Sequence, residues 1–274
     1  MSDAGPGRSF RPGVPVSTHP EEFPVLSRTT ASVSVGAVAL LSSLLLAGCS
    51  PAATPDAAPS AIAETQPTAD STPAASTPAA TATSATATGA ILDVYDEPGG
   101  SVTATLRNPQ ESGAPLTLLV AATRGDWLQV HLAQRPNGST GWVKADAVVQ
   151  HSLEYSLDAS TEDNTLTLLK NGHPVKTFRA ATGTGGTPTP HGAFFLTELL
   201  QPTNEGYGPY AFGLSAFSDV LSNFGGGPGQ IGLHGTDDAD SIGRSASHGC
   251  IRLSNTDITE LASLLPLGTP ITIR

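Results

Sequence analysis

Alternation of apolar and polar residues marks the region that begins near residue 89. In "WLQVHLA", Leu128, Val130 and Leu132 alternate with polar residues, which predicts a strand with one buried face. Similar short runs, separated by turn residues, continue to about residue 150, and Asn137-Gly138 is a hairpin signal. These patterns predict a small β domain of five short strands over residues 89–150.

Residues 152–274 carry a second set of strand patterns and one helical pattern. The predicted strands are "LEYSL", "LTLL", "PVKTF", "HGAFFLTEL" and a closing "ITI", with Asn171-Gly172 turning a hairpin. Apolar residues at Ile258, Leu261 and Leu265 follow helical spacing, and Ser254 is placed to cap the helix. The chain is therefore predicted to be mainly β, with one or two short helices.

The N-terminal part of the chain has a different character. Residues 31–48 form an uncharged apolar run that ends in Leu-Ala-Gly before Cys49 and resembles a bacterial lipobox. We expect residues 1–48 to be a lipoprotein-type signal peptide and Cys49 to carry the lipid. The alternative is a transmembrane helix that stays in place. Residues 49–88 are almost entirely Ala, Thr, Pro and Ser, which predicts a disordered stalk.

Both interpretations of the apolar run place the rest of the chain outside the cytoplasm. We therefore expect an extracytoplasmic protein, anchored to the membrane by lipid and facing the cell wall. The net charge is −11, and the 13 Lys and Arg residues form no cluster, which argues against nucleic-acid binding.

The stretch "ASHGCIRL" holds Cys250, one of only two cysteines in the chain. If residues 248–253 are extended, alternate side chains point to opposite faces. Ile251 and Leu253 would then enter the core, and His248, Cys250 and Arg252 would share the other face.

The upstream stretch "QIGLHGT" follows the same pattern. Ile231 and Leu233 are expected to point inward, and His234 the other way. Two such strands side by side would bring His234 and Cys250 together above the core.

A histidine beside a cysteine has a chemical use. An imidazole can take the thiol proton and so generate the nucleophilic thiolate. The backbone amides of Gly249 and Cys250 are candidates for an oxyanion hole. Arg252 could bind a carboxylate of the substrate, or one of the protein that braces the site.

These motifs resemble the L,D-transpeptidase (YkuD-type) catalytic domain. The resemblance rests on "IGLHGT", on "SHGCIRL", on the upstream "ATGTGGTPTPHGAFFL" and on the closing "GTPITI". It implies a β-sandwich-like catalytic domain over residues 152–274. It also implies Cys250 as nucleophile, His234 as general base and His248 as a helper of the oxyanion region, with Ser247, Gly249 and Arg252 completing the motif.

The same resemblance implies a substrate and a reaction. The enzyme would join peptidoglycan stem peptides by 3→3 cross-links through a cysteine thioester, with no metal or cofactor. Residues 201–229 lie where the family has a flap that covers the substrate.

The first β domain resembles bacterial SH3-like barrels through "GDWLQVHL" and "TGWV". Its Tyr95, Trp127 and Trp142 could line a groove that binds the wall. The alternative, which we prefer from the sequence, is a spacer domain whose tryptophans belong to its core.

Three other functions remain open at this point. An L,D-carboxypeptidase would use water instead of an amine on the same site. A zinc site could be formed by His234, His248 and Cys250, although the spacing of these residues is not typical of zinc ligands. A non-catalytic wall-binding lipoprotein would keep the β domain but would not need the His-Cys pair.

Overall fold

The computed structural model describes residues 81–224 and 227–274. The predicted signal peptide, the lipidation site at Cys49 and most of the predicted stalk lie outside these residues. Strands account for most of the regular structure, which confirms the mainly-β fold. In the described part of the chain, no helix is both long and apolar enough to cross a membrane.

The first sheet has seven strands, all paired antiparallel, in the spatial order β3-β2-β6-β5-β4-β1-β7. The strands are β1 Ala82–Ala87, β2 Ile91–Tyr95, β3 Val102–Arg107, β4 Thr117–Arg124, β5 Trp127–His131, β6 Thr140–Lys144 and β7 Val148–Leu153. The predicted alternation in β5 is confirmed, because Leu128 and Val130 are fully buried. The Asn137-Gly138 signal falls in the loop that joins β5 to β6.

The boundaries predicted for the stalk and for this domain need correction. Residues 82–87 do not continue the stalk but form β1, which pairs with β4 on one edge and with β7 on the other. The sheet therefore spans residues 82–153 instead of 89–150, and it has seven strands instead of five. Composition concealed β1 because its small Ala, Thr and Ser residues gain stability from two rows of backbone hydrogen bonds rather than from large side chains.

The aromatic residues of this sheet also differ from the preferred expectation. Tyr95, Trp127 and Trp142 are half-buried and lie outside the cluster of buried residues. Tyr95 and Trp127 meet edge to face, with ring centroids 4.9 Å apart, and Tyr95 pairs with Trp142 across β2 and β6. The tryptophans thus lie on the face of the sheet opposite to Leu128 and Val143.

The second sheet has eight strands in the order β10-β9-β8-β17-β12-β13-β14-β16. They are β8 Tyr155–Ser160, β9 Thr165–Lys170, β10 His173–Arg179, β12 Gly192–Leu200, β13 Ala211–Phe217, β14 Gln230–His234, β16 Ile251–Arg252 and β17 Pro270–Ile273. Two of the pairs are parallel, β8 with β17 and β14 with β16; the others are antiparallel. Two short strands, β11 Thr182–Gly183 and β15 Ser245–Ser247, pair separately in parallel.

Local signals in this domain are confirmed. Asn171 and Gly172 both have positive φ, 51° and 77°, as their tight turn between β9 and β10 requires. The single α-helix of the described residues, α1 Asn255–Leu264, begins after Ser254, whose Oγ accepts a hydrogen bond from the Asp257 N–H at 3.1 Å. Ile258 and Leu261 point from this helix into the core.

The two sheets belong to one compact unit and share part of a core. Phe195 of β12 is fully buried among the apolar residues of the first sheet. Gln110, in the loop after β3, donates a hydrogen bond to the Thr197 carbonyl of β12 at 2.9 Å. The first sheet is therefore packed against the second, through apolar contacts and a hydrogen bond.

Candidate active site

Two parallel strands position the predicted His-Cys pair. Leu233 of β14 lies opposite Ile251 of β16, and His234 lies opposite Arg252. Leu233 and Ile251 are fully buried, as is Leu253, so the predicted inward-facing positions are confirmed. This apolar anchoring fixes the register of the two strands and holds the polar residues beside them in place.

Cys250 is a free thiol at the edge of an open cleft of about 600 Å³. Its Sγ accepts a hydrogen bond from the Gly232 N–H at 3.3 Å. Burial raises the pKa of the thiol, whereas the Gly232 N–H and the positive charge of Arg252 act to lower it. The resting residue is therefore a thiol, with a donor and a cation already in place to stabilise a thiolate.

His234 is buried and held in a single tautomer. Its Nδ1 lies 2.6 Å from the Gly235 carbonyl, and because a carbonyl can only accept, Nδ1 carries the proton. Burial lowers the pKa of His234 to about 4, the Gly235 hydrogen bond opposes this shift, and Arg252 adds to it. The ring is therefore neutral at pH 7, and its Nε2 is free to act as a base.

The imidazole and the thiol border the same small space, which adjoins the Cα of Gly232. A Cβ on Gly232 would lie 3.5 Å from Cδ2 of His234 and 3.7 Å from Sγ of Cys250. The predicted closeness of His234 and Cys250 is therefore confirmed, although the hydrogen bond to the thiol comes from the Gly232 N–H and not from the imidazole. Hydrogen bonds of catalytic groups are commonly loose before substrate binds.

Tyr207 covers the histidine and was not singled out for this role from the sequence. Its ring centroid lies 4.4 Å from that of His234. The neighbouring Gly208, with φ of 63°, packs so closely on Gly235 that a Cβ at Gly208 would lie 2.7 Å from the Gly235 Cα. Burial, and then the nearby Cys250, raise the pKa of Tyr207, so its hydroxyl stays protonated.

The backbone before Cys250 turns instead of running straight, which corrects the extended arrangement expected for residues 248–250. Gly249 has φ of 119°, and the strand begins only at Ile251. Ser247 stabilises the turn, because its Oγ donates to the Cys250 carbonyl and accepts from the Gly249 N–H at 3.1 Å. The Gly249 amide is thus already paired, which leaves the Cys250 amide as the remaining oxyanion candidate of the two.

Thr189, in the "TGTGGTPTP" segment, stabilises this turn through two hydrogen bonds. The Oγ1 of buried Thr189 donates to the Gly249 carbonyl at 2.8 Å and accepts from the Gly183 N–H at 2.9 Å. A Cβ on Gly183 would lie 2.3 Å from the Thr187 carbonyl oxygen, so this close approach requires glycine. The segment therefore fixes the position of the turn before Cys250.

The remaining motif residues, Arg252 and His248, take different positions. Arg252 is half-buried, and one guanidinium nitrogen lies 3.8 Å from the Asp238 carboxylate, which fits the expected protein carboxylate that braces the site. His248 is exposed, and its ring stacks on Phe224 with centroids 5.2 Å apart. The stretch 201–229, expected to be a flap, is divided by strand β13. The first three residues of that strand border the cleft, together with residues of the segments on either side of it.

Comparison with known proteins decides the family. The family model for the YkuD L,D-transpeptidase catalytic domain matches residues 154–273. The YkuD protein of Bacillus subtilis is 35% identical over 124 residues, which are 45% of this chain and 68% of that protein. The chain belongs to the YkuD family of L,D-transpeptidases. The YkuD protein of Bacillus licheniformis is 36% identical over 122 residues, which are 44% of this chain and 67% of the relative.

Solved structures include members of the same enzyme class. An L,D-transpeptidase from Mycobacterium smegmatis is 20% identical, with 57% of this chain and 82% of that chain covered and a TM-score of 0.37. The family assignment rests on the two Bacillus relatives and not on this superposition.

The cleft of this L,D-transpeptidase domain is bordered by uncharged residues, among them Tyr207, Phe224, Pro228 and Gln230. Its volume falls in the range of roughly 300–1,000 Å³ that is usual for ligand sites. Within residues 81–224 and 227–274, no three His, Cys, Asp or Glu side chains are grouped so as to hold a metal ion. His234, His248 and Cys250 are therefore not arranged as a zinc site.

Proposed function

We propose that this protein forms 3→3 cross-links between peptidoglycan stem peptides through a thioester on Cys250. The observation that carries the proposal is the placement of a free thiol at an open cleft, beside a neutral histidine whose tautomer leaves Nε2 as the base. Membership in the L,D-transpeptidase family supports the reaction type.

The two pKa shifts support a particular order of proton transfer. Burial raises the pKa of the Cys250 thiol and lowers the pKa of the His234 imidazole, so the resting pair is neutral rather than a thiolate-imidazolium ion pair. We infer that the proton leaves Sγ for Nε2 as the sulfur attacks the substrate carbonyl. Arg252 and the Gly232 N–H then stabilise the sulfur's developing charge.

The first half-reaction transfers the donor stem to the enzyme. Sγ bonds to the carbonyl carbon of the third stem residue, and the amide bond from that carbon to the terminal D-Ala breaks. The proton held on His234 passes to the amine of the leaving D-Ala. In the second half-reaction an amine of a neighbouring stem attacks the thioester, its proton returns through His234 to the sulfur, and the cross-link is released.

Transpeptidation and hydrolysis share the acyl-enzyme and differ only in what attacks it. The test is product analysis with a disaccharide tetrapeptide donor, with and without a second stem as acceptor. The proposal expects cross-linked dimer and free D-Ala when acceptor is present. Release of the tripeptide stem alone, in both conditions, would identify an L,D-carboxypeptidase, and no release of D-Ala would support a non-catalytic wall-binding protein.

We further propose that the first sheet is an SH3-like wall-binding domain. The position of Trp127 and Trp142 outside the buried core favours a binding face over the spacer interpretation. Binding of the full chain to insoluble cell wall should fall when both tryptophans are replaced by alanine. Equal co-sedimentation of the variant and the wild type would favour the spacer.

The lipid anchor and the extracytoplasmic location are also proposals, because Cys49 lies outside the described residues. Incorporation of labelled palmitate into the wild type, and its loss in Cys49→Ala, would support them. Unlabelled wild-type protein would contradict the lipid anchor.

A further inference from the structure

One loop of the first sheet contacts the segment that borders the active-site cleft. The loop, residues 132–139, joins β5 to β6. The segment lies between β13 and β14, and we use the name 218–229 segment for its described residues, 218–224 and 227–229. Arg135 donates hydrogen bonds to the carbonyls of Ser218 at 2.9 Å, Leu221 at 3.0 Å and Pro228 at 2.7 Å. One guanidinium therefore joins both ends of the segment.

The surroundings of Arg135 are shaped for this contact. Its guanidinium carbon lies 4.9 Å from the centre of the Phe217 ring, at the end of β13. Gly229 is buried with φ of 75°, and a Cβ there would lie 3.1 Å from a guanidinium nitrogen and closer still to the Leu221 carbonyl. A planar group with several divergent N–H donors fits three carbonyls, whereas the compact ammonium of lysine does not have this geometry.

A second residue of the same loop reinforces the contact. The side-chain amide of Asn137 pairs with both backbone groups of Phe217, donating to its carbonyl at 2.8 Å and accepting from its N–H at 2.9 Å. The loop therefore fixes the residue after which the segment begins.

The other side of the segment borders the active site. Phe224, Gly227 and Pro228 line the cleft together with Cys250. Phe224 stacks on the ring of His248 and exchanges two backbone hydrogen bonds with Gly227, each 3.0 Å long. The segment thus connects the loop of the first sheet to one wall of the substrate cleft.

We propose that Arg135 is a positioning residue for the L,D-transpeptidase site. Through it the first sheet holds the 218–229 segment as one wall of the cleft beside Cys250, where the donor stem binds in the proposed reaction. The inference rests on the proposed function. By this proposal the first sheet contributes to substrate binding at the site in the second sheet. This contribution does not depend on any contact between the first sheet and the cell wall.

The test compares Arg135→Ala with Gln110→Ala in the full chain. Gln110 also bonds the two sheets together, through the Thr197 carbonyl, but does not touch the 218–229 segment. The assay follows D-Ala release from a disaccharide tetrapeptide donor in the presence of acceptor stem. For Arg135→Ala we expect about a tenfold rise in the KM for donor, equivalent to about 1.4 kcal/mol, with kcat within about twofold of wild type.

The control separates positioning from general loss of stability. Both variants should lower the melting temperature, but Gln110→Ala should leave KM and kcat unchanged. The donor KM of Arg135→Lys should lie between those of wild type and Arg135→Ala. If Arg135→Ala does not fold, Asn137→Ala supplies the same comparison. An unchanged donor KM in Arg135→Ala, or in Asn137→Ala if that variant is used instead, would overturn the proposal. An equal rise of the donor KM in Gln110→Ala would overturn it too. Failure of the wild type to release D-Ala would overturn the proposed function itself.

Discussion

Replacing Thr189 by valine tests whether the turn before Cys250 depends on a single buried hydroxyl. The substitution keeps the shape of the side chain but removes the group that donates to the Gly249 carbonyl and accepts from the Gly183 N–H. Thr189 is 3% exposed, so water cannot readily replace it. The protein is left with one unpaired acceptor and one unpaired donor on its backbone.

The size of the effect follows from those two groups. A buried polar group left without a partner costs about 1–3 kcal/mol, and because Gly183 is only half-buried its share lies at the lower end. We therefore expect Thr189→Val to lower the free energy of unfolding by about 2–4 kcal/mol.

The assay is urea denaturation, with Thr167→Val as the matched control. Thr167 makes a hydroxyl pair with Thr177 at 3.0 Å on the solvent side of β9 and β10, where water can substitute. Its replacement should change the free energy of unfolding by less than about 0.5 kcal/mol. Equal losses for the two variants would refute the reasoning that the Thr189 hydroxyl braces the turn before Cys250.

Two further predictions follow from the site. Because burial lowers the pKa of His234 from 6.5 to about 4, the unfolded chain binds a proton there that the native protein excludes, and stability should fall as pH drops from 6.5 towards 4. The free energy of unfolding of wild type, measured by urea denaturation relative to that of His234→Asn, should fall by about 3 kcal/mol across that range. A constant difference between the two proteins would contradict the assignment of a neutral buried imidazole. Gly183→Ala forces a Cβ to within 2.4 Å of the Thr189 nitrogen and should lower the free energy of unfolding by about 3 kcal/mol or more. Gly185→Ala, where nothing lies within 4 Å of the added Cβ, should be nearly neutral. Similar melting temperatures for the two variants would refute the close packing of this segment.

The parts of the fold that follow local rules were predictable from the sequence. Alternation placed Ile231 and Leu233 in the core, helical spacing with Ser254 located α1, and Asn171-Gly172 gave the hairpin turn. In each case neighbours within a few residues determine the conformation. The motif "SHGC" and the upstream "LHG" likewise indicated that Cys250 and His234 lie close together.

The rest depends on contacts between distant parts of the chain, which composition and periodicity do not report. Strand β1 looks like a stalk because its stability comes from pairing with β4 and β7. Tyr207 reaches His234 only because Gly208 packs on Gly235. The hydrogen bond from Gly232 to the thiol depends on the parallel register of β14 and β16, and the contacts of Arg135 cross from one sheet to the other.

The most direct test of the Cys250 mechanism is the intact mass of the full chain mixed with disaccharide tetrapeptide donor and no acceptor. We expect a species whose mass exceeds that of the free chain by the mass of the donor minus D-Ala. It should be cleaved by hydroxylamine, as a thioester is, and should be missing in Cys250→Ala. A wild-type chain that releases D-Ala without forming this species, or an adduct that persists in Cys250→Ala, would contradict it.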